Sequence, residues 1–313
     1  MAACRGQDFL IASSTQSVAY MVHEITGLPW LLTSLTLLVQ TDASEEDRRR
    51  SAADSREAHQ AHNAVREAVG LPAFTLDDWP EYVGSDHLLL GYSRHFCELP
   101  AMEFPCARQA GFWFHDDRQG TDWGPPSDLR AFVEADPAPL VLSLGSMPVL
   151  EPAKEVAVHA EAAARLGRRL VIQKGWADLS PSDLPASVDP RMIHFAEYVP
   201  HDWLFRHASA LIHHGGIGTT ARALCHGLPM LVEPRAFDQF VNARRILAVG
   251  LGAAAHPHKL TAEGLCRLLS EKVLTPEARR NAEAMGSRIR EEDSVGVACN
   301  LIEKRLRNQP WGS

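Results

Sequence analysis

Residues 210–239 read ALIHHGGIGTTARALCHGLPMLVEPRAFDQ and gather several side chains whose types and spacing could do chemistry. Gly215, Gly216 and Gly218 place three glycines in four positions. Such a turn lets backbone N–H groups approach a ligand closely, and a helix opening behind it adds unpaired N–H groups and a positive dipole end. Thr219 and Thr220 add hydroxyls, and His214 adds an imidazole that titrates near neutrality. These donors suit a phosphate or diphosphate. A turn that only packs a helix on a strand would need the glycines, but neither the paired histidines nor the paired threonines.

Three kinds of phosphate loop can be compared. A Walker A loop requires Gly-Lys-Ser/Thr, and no lysine lies here. The dinucleotide fingerprint G-x-G-x-x-G/A is met by Gly216 to Ala221, with Glu233 closing the next strand where a ribose-binding acid would stand. That keeps an NAD-dependent oxidoreductase as a remote alternative. The match lies late in the chain, however, and leaves His214, Asp238 and Gln239 without a role. In a nucleotide-sugar site, His214 and the turn would hold the diphosphate while Asp238 and Gln239 reach sugar hydroxyls.

The elements that must position these residues follow from the pattern around them. Ala210–Ile212 is an apolar strand, a helix runs from Thr219 to about His226, and Gly227-Leu228-Pro229 stops it. Met230–Glu233 is the next strand. In an open parallel sheet, ligands gather at the carboxyl ends of such strands.

The run 213–220, HHGGIGTT, with Gly227-x-Pro229, Pro234, Asp238-Gln239 and Asn242-Ala243-Arg244-Arg245, resembles the donor half of GT-B glycosyltransferases. Within them it resembles the UDP-glucuronosyl/UDP-glucosyltransferase family, nearest to the sterol, rhamnolipid and antibiotic glycosyltransferases of microbes. The resemblance implies an α/β fold of GT-B type: two Rossmann-like doubly wound parallel-sheet domains. It implies a donor site of Gly145, Ser146, Tyr198, Val199, His214, Gly216, Gly218, Thr219, Asp238 and Gln239. There Gly145-Ser146 would meet the diphosphate, Tyr198 would stack on the pyrimidine, and Val199 would offer backbone hydrogen bonds. Tyr198 for the usual tryptophan and His201 for the usual glutamine leave uridine and thymidine donors both open. Lys174-Gly175-Trp176 resembles the sterol-transferase variant of its position and points to a lipophilic acceptor. The implied reaction is inverting transfer of a hexose from a UDP- or dTDP-sugar to a hydroxyl of a small acceptor. It needs no cofactor and no metal, since helix dipole and imidazole carry the diphosphate charge and no Asp-x-Asp pair is present.

The chain of 313 residues has room for two domains. The expected division is a partial acceptor-binding domain over 1–115, a Gly/Pro-rich linker over 116–127, a donor-binding domain over 128–292, and a final helix over 293–313 that packs back on the first domain. Strands are expected at 8–12, 31–35 and 88–92, and a long helix at 45–69. In the donor half, Thr261 and Thr275-Pro276 read as helix starts, and Asp293 or Ser294 caps the final helix. Only seven residues precede Asp8, so at least two β-α-β units of ~30 residues each that the resemblance implies are expected upstream, making the N-terminal domain incomplete. The general base, a histidine of the family's first loop, is expected there too. The place of its aspartate partner falls near Ser13-Ser14, and His23 reads as a mid-helix structural residue. A donor-binding fragment completed by a second subunit or by homodimerisation is the alternative.

A net charge of −8 argues against a nucleic-acid surface. Six cysteines with no C-x-x-C pair suit a reducing cytoplasm. Fifteen histidines show no metal-ligand spacing. No run approaches the ~18 apolar residues of a membrane span, so the expected location is cytoplasmic, with peripheral membrane contact through a lipid-like acceptor.

Overall fold

The computed structural model describes residues 4–13, 18–36, 45–75, 88–99, 107–115 and 123–307. Ser14 and most of the expected linker lie outside them. The chain divides into two compact units, Met1–Phe114 with Glu292–Ser313 and His115–Glu291.

The first unit holds β1 (Leu10–Ser13), α1 (Ala19–Thr26), β2 (Trp30–Ser34), α2 (Glu45–Ala68), β3 (Leu88–Leu90) and β4 (Arg108–Gln109). The strands form a parallel sheet in the order β1-β2-β3-β4. β4 was not expected, because two polar residues carry no apolar signal. Helix α1 stops at Gly27, whose N–H reaches His23 O at 2.7 Å. His23 Nδ1 in turn bonds Leu28 O at 2.8 Å, which is the structural role its mid-helix position suggested. At the end of α2, Arg66 is 1% exposed. Its guanidinium pairs with Glu24, its Nε donates to Pro72 O at 2.6 Å, and it lies 3.7 Å over the Phe74 ring. Asn63 trades two 2.9 Å hydrogen bonds with the Phe74 backbone. The N-x-x-R…GLP segment is therefore a clamp that folds the chain back after α2.

The second unit carries α3 (Ser127–Glu134), β5 (Leu140–Ser143), α4 (Pro152–Arg165), β6 (Leu170–Gln173), β7 (Ile193–Ala196), α5 (His201–Arg206), β8 (Ala210–His213), α6 (Ile217–Cys225), β9 (Met230–Val232), α7 (Gln239–Ala248), β10 (Gly252–Ala254), α8 (Ala262–Leu268) and α9 (Pro276–Arg290). Its sheet is parallel, in the order β10-β9-β8-β5-β6-β7. β5, β6, β8 and β9 are buried at every position, as strands covered on both faces must be. Leu140, Leu142, Ile172, Ile212 and Leu231 form one core with Val156 and Ala160 of α4 and Leu265 of α8. Thr261 and Thr275 cap their helices as expected, accepting from Gly264 N and Ala278 N at 3.1 Å. Helix α6 begins two residues before the expected Thr219, because Gly216 takes the extended cap conformation.

The last helix, α10 (Ser294–Leu306), is capped by Asp293 and belongs to the first unit. Its Ala298, Leu301 and Ile302 pack with Leu31, Leu89 and Ala110. Ser93 Oγ donates to Glu292 Oε1 at 2.8 Å just before it.

The strand order sets where a ligand can enter the second unit. From β5 the chain winds outward through β6 and β7, then returns to β8 on the other side of β5. The loops leaving β5 and β8 therefore diverge, and the switch point lies between them.

Candidate functional site

The loops after β5 and β8 meet at His214. Gly145 adopts φ +61, and a Cβ there would stand 2.9 Å from His214 Cε1. A Cβ on Gly216 would collide with His214 Nε2. The imidazole thus occupies a slot that two glycines make. Burial holds its pKa below the ordinary histidine value, opposed chiefly by a hydrogen bond to the Ser143 backbone, with Arg235 acting in the same direction as burial and Asp238 against it. His214 is accordingly neutral near pH 7, a hydrogen-bonding group more than a charge.

Gly218 lies in the first turn of α6 and is exposed, and a Cβ there would meet no protein atom within 4 Å. The space its missing side chain leaves is open, at the helix end where unpaired N–H groups and the dipole favour an anion. Thr219 is nearly buried beside it. Thr220 differs: its hydroxyl donates to Gly216 O at 2.9 Å and serves the helix. His213 is fully buried, and its Nδ1 accepts from Gly215 N at 3.2 Å, which fixes the entry to the turn. Burial drives its pKa well below the usual value, so it too is neutral. Asp202 of α5 accepts from Arg222 of α6 and from His226 at that helix's C-cap, each at 2.8 Å, and anchors the glycine-bearing helix.

The loops after β5, β6 and β7 are tied from beneath. Ser143 Oγ donates to Gln173 Oε1 at 2.8 Å, and Gln173 Nε2 donates to Val199 O at 2.9 Å. His201 Nε2 also reaches Gln173 Oε1, at 3.1 Å. Desolvation lowers the His201 pKa to about 4, so that bond is made by the neutral ring. Val199 is buried with its carbonyl already engaged, whereas Tyr198 beside it is 68% exposed and free to stack. Ser146 is exposed after Gly145. Trp203 meets Trp123 edge-on and Phe205 is buried, so both anchor α5.

Asp238 and Gln239 open α7 and divide into two kinds. Asp238 is half-buried, accepts from Asn242 Nδ2 at 3.0 Å, and has its carboxyl pKa raised by burial. Gln239, expected to reach sugar hydroxyls, is 4% exposed. Its Oε1 accepts from Arg235 N at 2.8 Å and Ala236 N at 3.0 Å, and its Nε2 lies 3.4 Å from Met147 Sδ. In this structure Gln239 shapes the loop that precedes it.

Sequence spacing could not reveal the cluster behind that loop. Glu233 is 0% exposed and accepts from His159 Nε2 of α4 at 2.9 Å. His159 Nδ1 bonds Glu155 O at 2.8 Å. Both ring nitrogens face acceptors, which requires the imidazolium, and the two glutamates raise its pKa to about 9 against desolvation. Arg235 lies 2.6 Å from Glu155 and 3.5 Å from Glu233. Glu155, His159 and Glu233 are spaced as metal ligands could be. Imidazolium and guanidinium already balance the two carboxylates, however, so a cation would have to displace them. Glu233 is thereby unavailable to a ribose, which removes the acid that the dinucleotide fingerprint needs. Phe237, at the loop's tip, was also missed, since nothing in its residue type announces φ +53.

Residues 176–300 match the family model described as erythromycin biosynthesis protein CIII-like, C-terminal domain. A sterol 3-beta-glucosyltransferase of Aspergillus clavatus is 33% identical over 260 residues, 80% of this chain and 18% of that protein. One from Neurospora crassa is 29% identical over 334 residues, 97% of this chain and 21% of that protein. The chain thus spans about a fifth of the length of the curated relatives it matches. Among solved structures, the glycotransferase of kitacinnamycin superposes with a TM-score of 0.76 at 23% identity, over 97% of this chain and 78% of that one. CalG4, the calicheamicin glycosyltransferase, gives 0.74 at 19% identity, over 97% and 75%. These likenesses establish the α/β fold with parallel sheets in both units. Among the described residues, no helix is long and apolar enough to cross a membrane.

Proposed function

We propose, from the premise that this chain is a GT-B-type glycosyltransferase homologue with an EryCIII-like C-terminal domain over residues 176–300, that it transfers a hexose with inversion from a UDP- or dTDP-sugar to a hydroxyl of a small lipophilic acceptor. The observation that carries the reading is the switch-point turn: a neutral His214 slotted between Gly145 and Gly216, beside an open Gly218 at the start of α6. Those groups face the place where negative charge grows as the nucleotide diphosphate leaves. Preorganised donors of this kind contribute about 3–4 kcal/mol each to a transition state. Ser146 and Thr219 add hydroxyls, Tyr198 stacks on the base, and Asp238 takes sugar hydroxyls.

Charge on the diphosphate is met by N–H dipoles and imidazole, so the donor should bind without a metal. Calorimetric titration with UDP in EDTA checks this, and affinity that appears only on adding Mg²⁺ would reverse it. The lipophilic acceptor rests on the sterol and antibiotic glycosyltransferases among the relatives and on the exposed Trp176 after β6. The location proposed is the cytoplasm, with acceptor drawn from a membrane surface.

The first experiment is titration of the purified chain with UDP, dTDP and NADH. Binding of a pyrimidine nucleotide without NADH supports the donor site and names its base. Binding of NADH alone would sink it. Donor binding without transfer to any sterol or polyketide would favour the second reading, a donor-binding subunit whose acceptor half comes from another chain or a second copy.

A further inference from the structure

The loop joining β9 to α7 carries one residue that local energetics disfavour twice. Phe237 takes φ +53, a left-handed conformation that bulky L residues avoid, and its side chain is 88% exposed. The segment around it is tightly fixed. Gln239 Oε1 holds the amides of Arg235 and Ala236 on one side of it, and Asp238 holds Asn242 Nδ2 on the other. Behind it, Arg235 is bound to Glu155 and Glu233. The same Asn242 amide donates to Gly215 O at 2.9 Å, which ties this loop directly to the glycine turn. A held loop therefore imposes the strained backbone and keeps an aromatic ring in water. Strain of this kind collects where a ligand is to be met.

We infer that Phe237 is a specificity-determining residue that packs against the apolar face of the sugar carried by the donor. The inference rests on the donor-site reading above. With the diphosphate at the turn after β8, the group attached to its terminal phosphate lies beside the loop bonded to that turn. Asp238 there offers a carboxylate for hydroxyls, and Phe237 one residue earlier offers a flat apolar surface. A hexose ring presents both chemistries: hydroxyls at its edge and C–H groups on its faces. An aromatic ring in that place gains contact area at small entropic cost and discriminates sugars by which face is bare of hydroxyls.

The test compares affinities for UDP and UDP-glucose (or dTDP and dTDP-glucose, whichever the wild type binds) in wild type, Phe237→Ala, Phe237→Gly and Phe237→Trp. The alanine variant removes the ring and keeps the strain, while the glycine variant removes both. Both are expected to bind the bare nucleotide within about twofold of wild type, and to lose roughly 3- to 10-fold in affinity for the nucleotide sugar. Phe237→Trp should retain the sugar increment, and Phe237→Gly should melt roughly 2–4 °C higher. Equal losses for nucleotide and nucleotide sugar, or an unchanged sugar increment with weakened acceptor binding, would overturn the inference while leaving the donor site standing. A wild type that binds neither nucleotide overturns the donor site and this inference together.

Discussion

The two loops that bracket the proposed diphosphate site are built on opposite plans. The turn after β8 is made of glycines around one imidazole, with open space before Gly218. The loop after β9 is braced by two carboxylates, an imidazolium and a guanidinium, and by a glutamine that spends its oxygen on two amides. Access for a ligand comes from leaving side chains out, and direction comes from burying charge. The contrast predicts that substitutions in the glycine turn damage binding and spare stability, and that those in the buried brace behind the second loop do the reverse.

The largest effect is expected in the second loop. Glu233→Gln leaves His159 and Arg235 facing a neutral partner in a buried site, a loss of about 3–5 kcal/mol in unfolding free energy measured by urea denaturation. A loss below 1 kcal/mol would show that the cluster does not brace the loop. Next comes His214→Ala, which should lower kcat/KM by roughly 10²–10³ while the denaturation midpoint barely moves. An equal fall in stability would erase the distinction between the loops.

The third prediction concerns pH. His159 binds its proton more tightly folded, with a pKa of about 9, than its unfolded value of 6.5. Its contribution is therefore fully present below pH 6.5 and lost as pH rises through 9, on the order of 3 kcal/mol. Glu233 is held below the usual carboxylate range chiefly by His159, with desolvation opposing, so its share is lost as pH falls. Stability should peak between these limits, and the alkaline fall should vanish in His159→Gln. The smallest effect is Gly218→Ala. A methyl group in the first turn of α6 should raise stability by up to about 1 kcal/mol and still weaken nucleotide binding, because it enters the space left for the ligand.

What was legible in the sequence follows the same divide. The glycine turn announces itself, since bare backbone and helix start are both written in residue types within one short window. Strands β5, β6, β8 and β9 were equally plain, because both-faced burial gives nearly uninterrupted apolar runs. The brace was hidden: His159 and Glu233 stand 74 residues apart, and only the folding of α4 across β9 joins them. The bonds of Gln239 to Arg235 N and Ala236 N were not legible, because a polar residue after a strand end can turn either outward or back onto its own loop, and spacing does not say which. β4 was invisible for lack of apolar content, and Phe237 because positive φ is ordinarily signalled by glycine.

The return of α10 to the first unit has a consequence in time. Ala298, Leu301 and Ile302 complete a core begun by Leu31, Leu89 and Ala110, yet the whole second unit is translated between them. At ordinary elongation rates that interval lasts roughly 10–40 s, during which the first unit waits unfinished on the ribosome while the second can close by itself. A chain ending at Glu291 and released from the ribosome should therefore show a protease-resistant second unit beside a sensitive first one, and extending it to residue 307 should make both resistant.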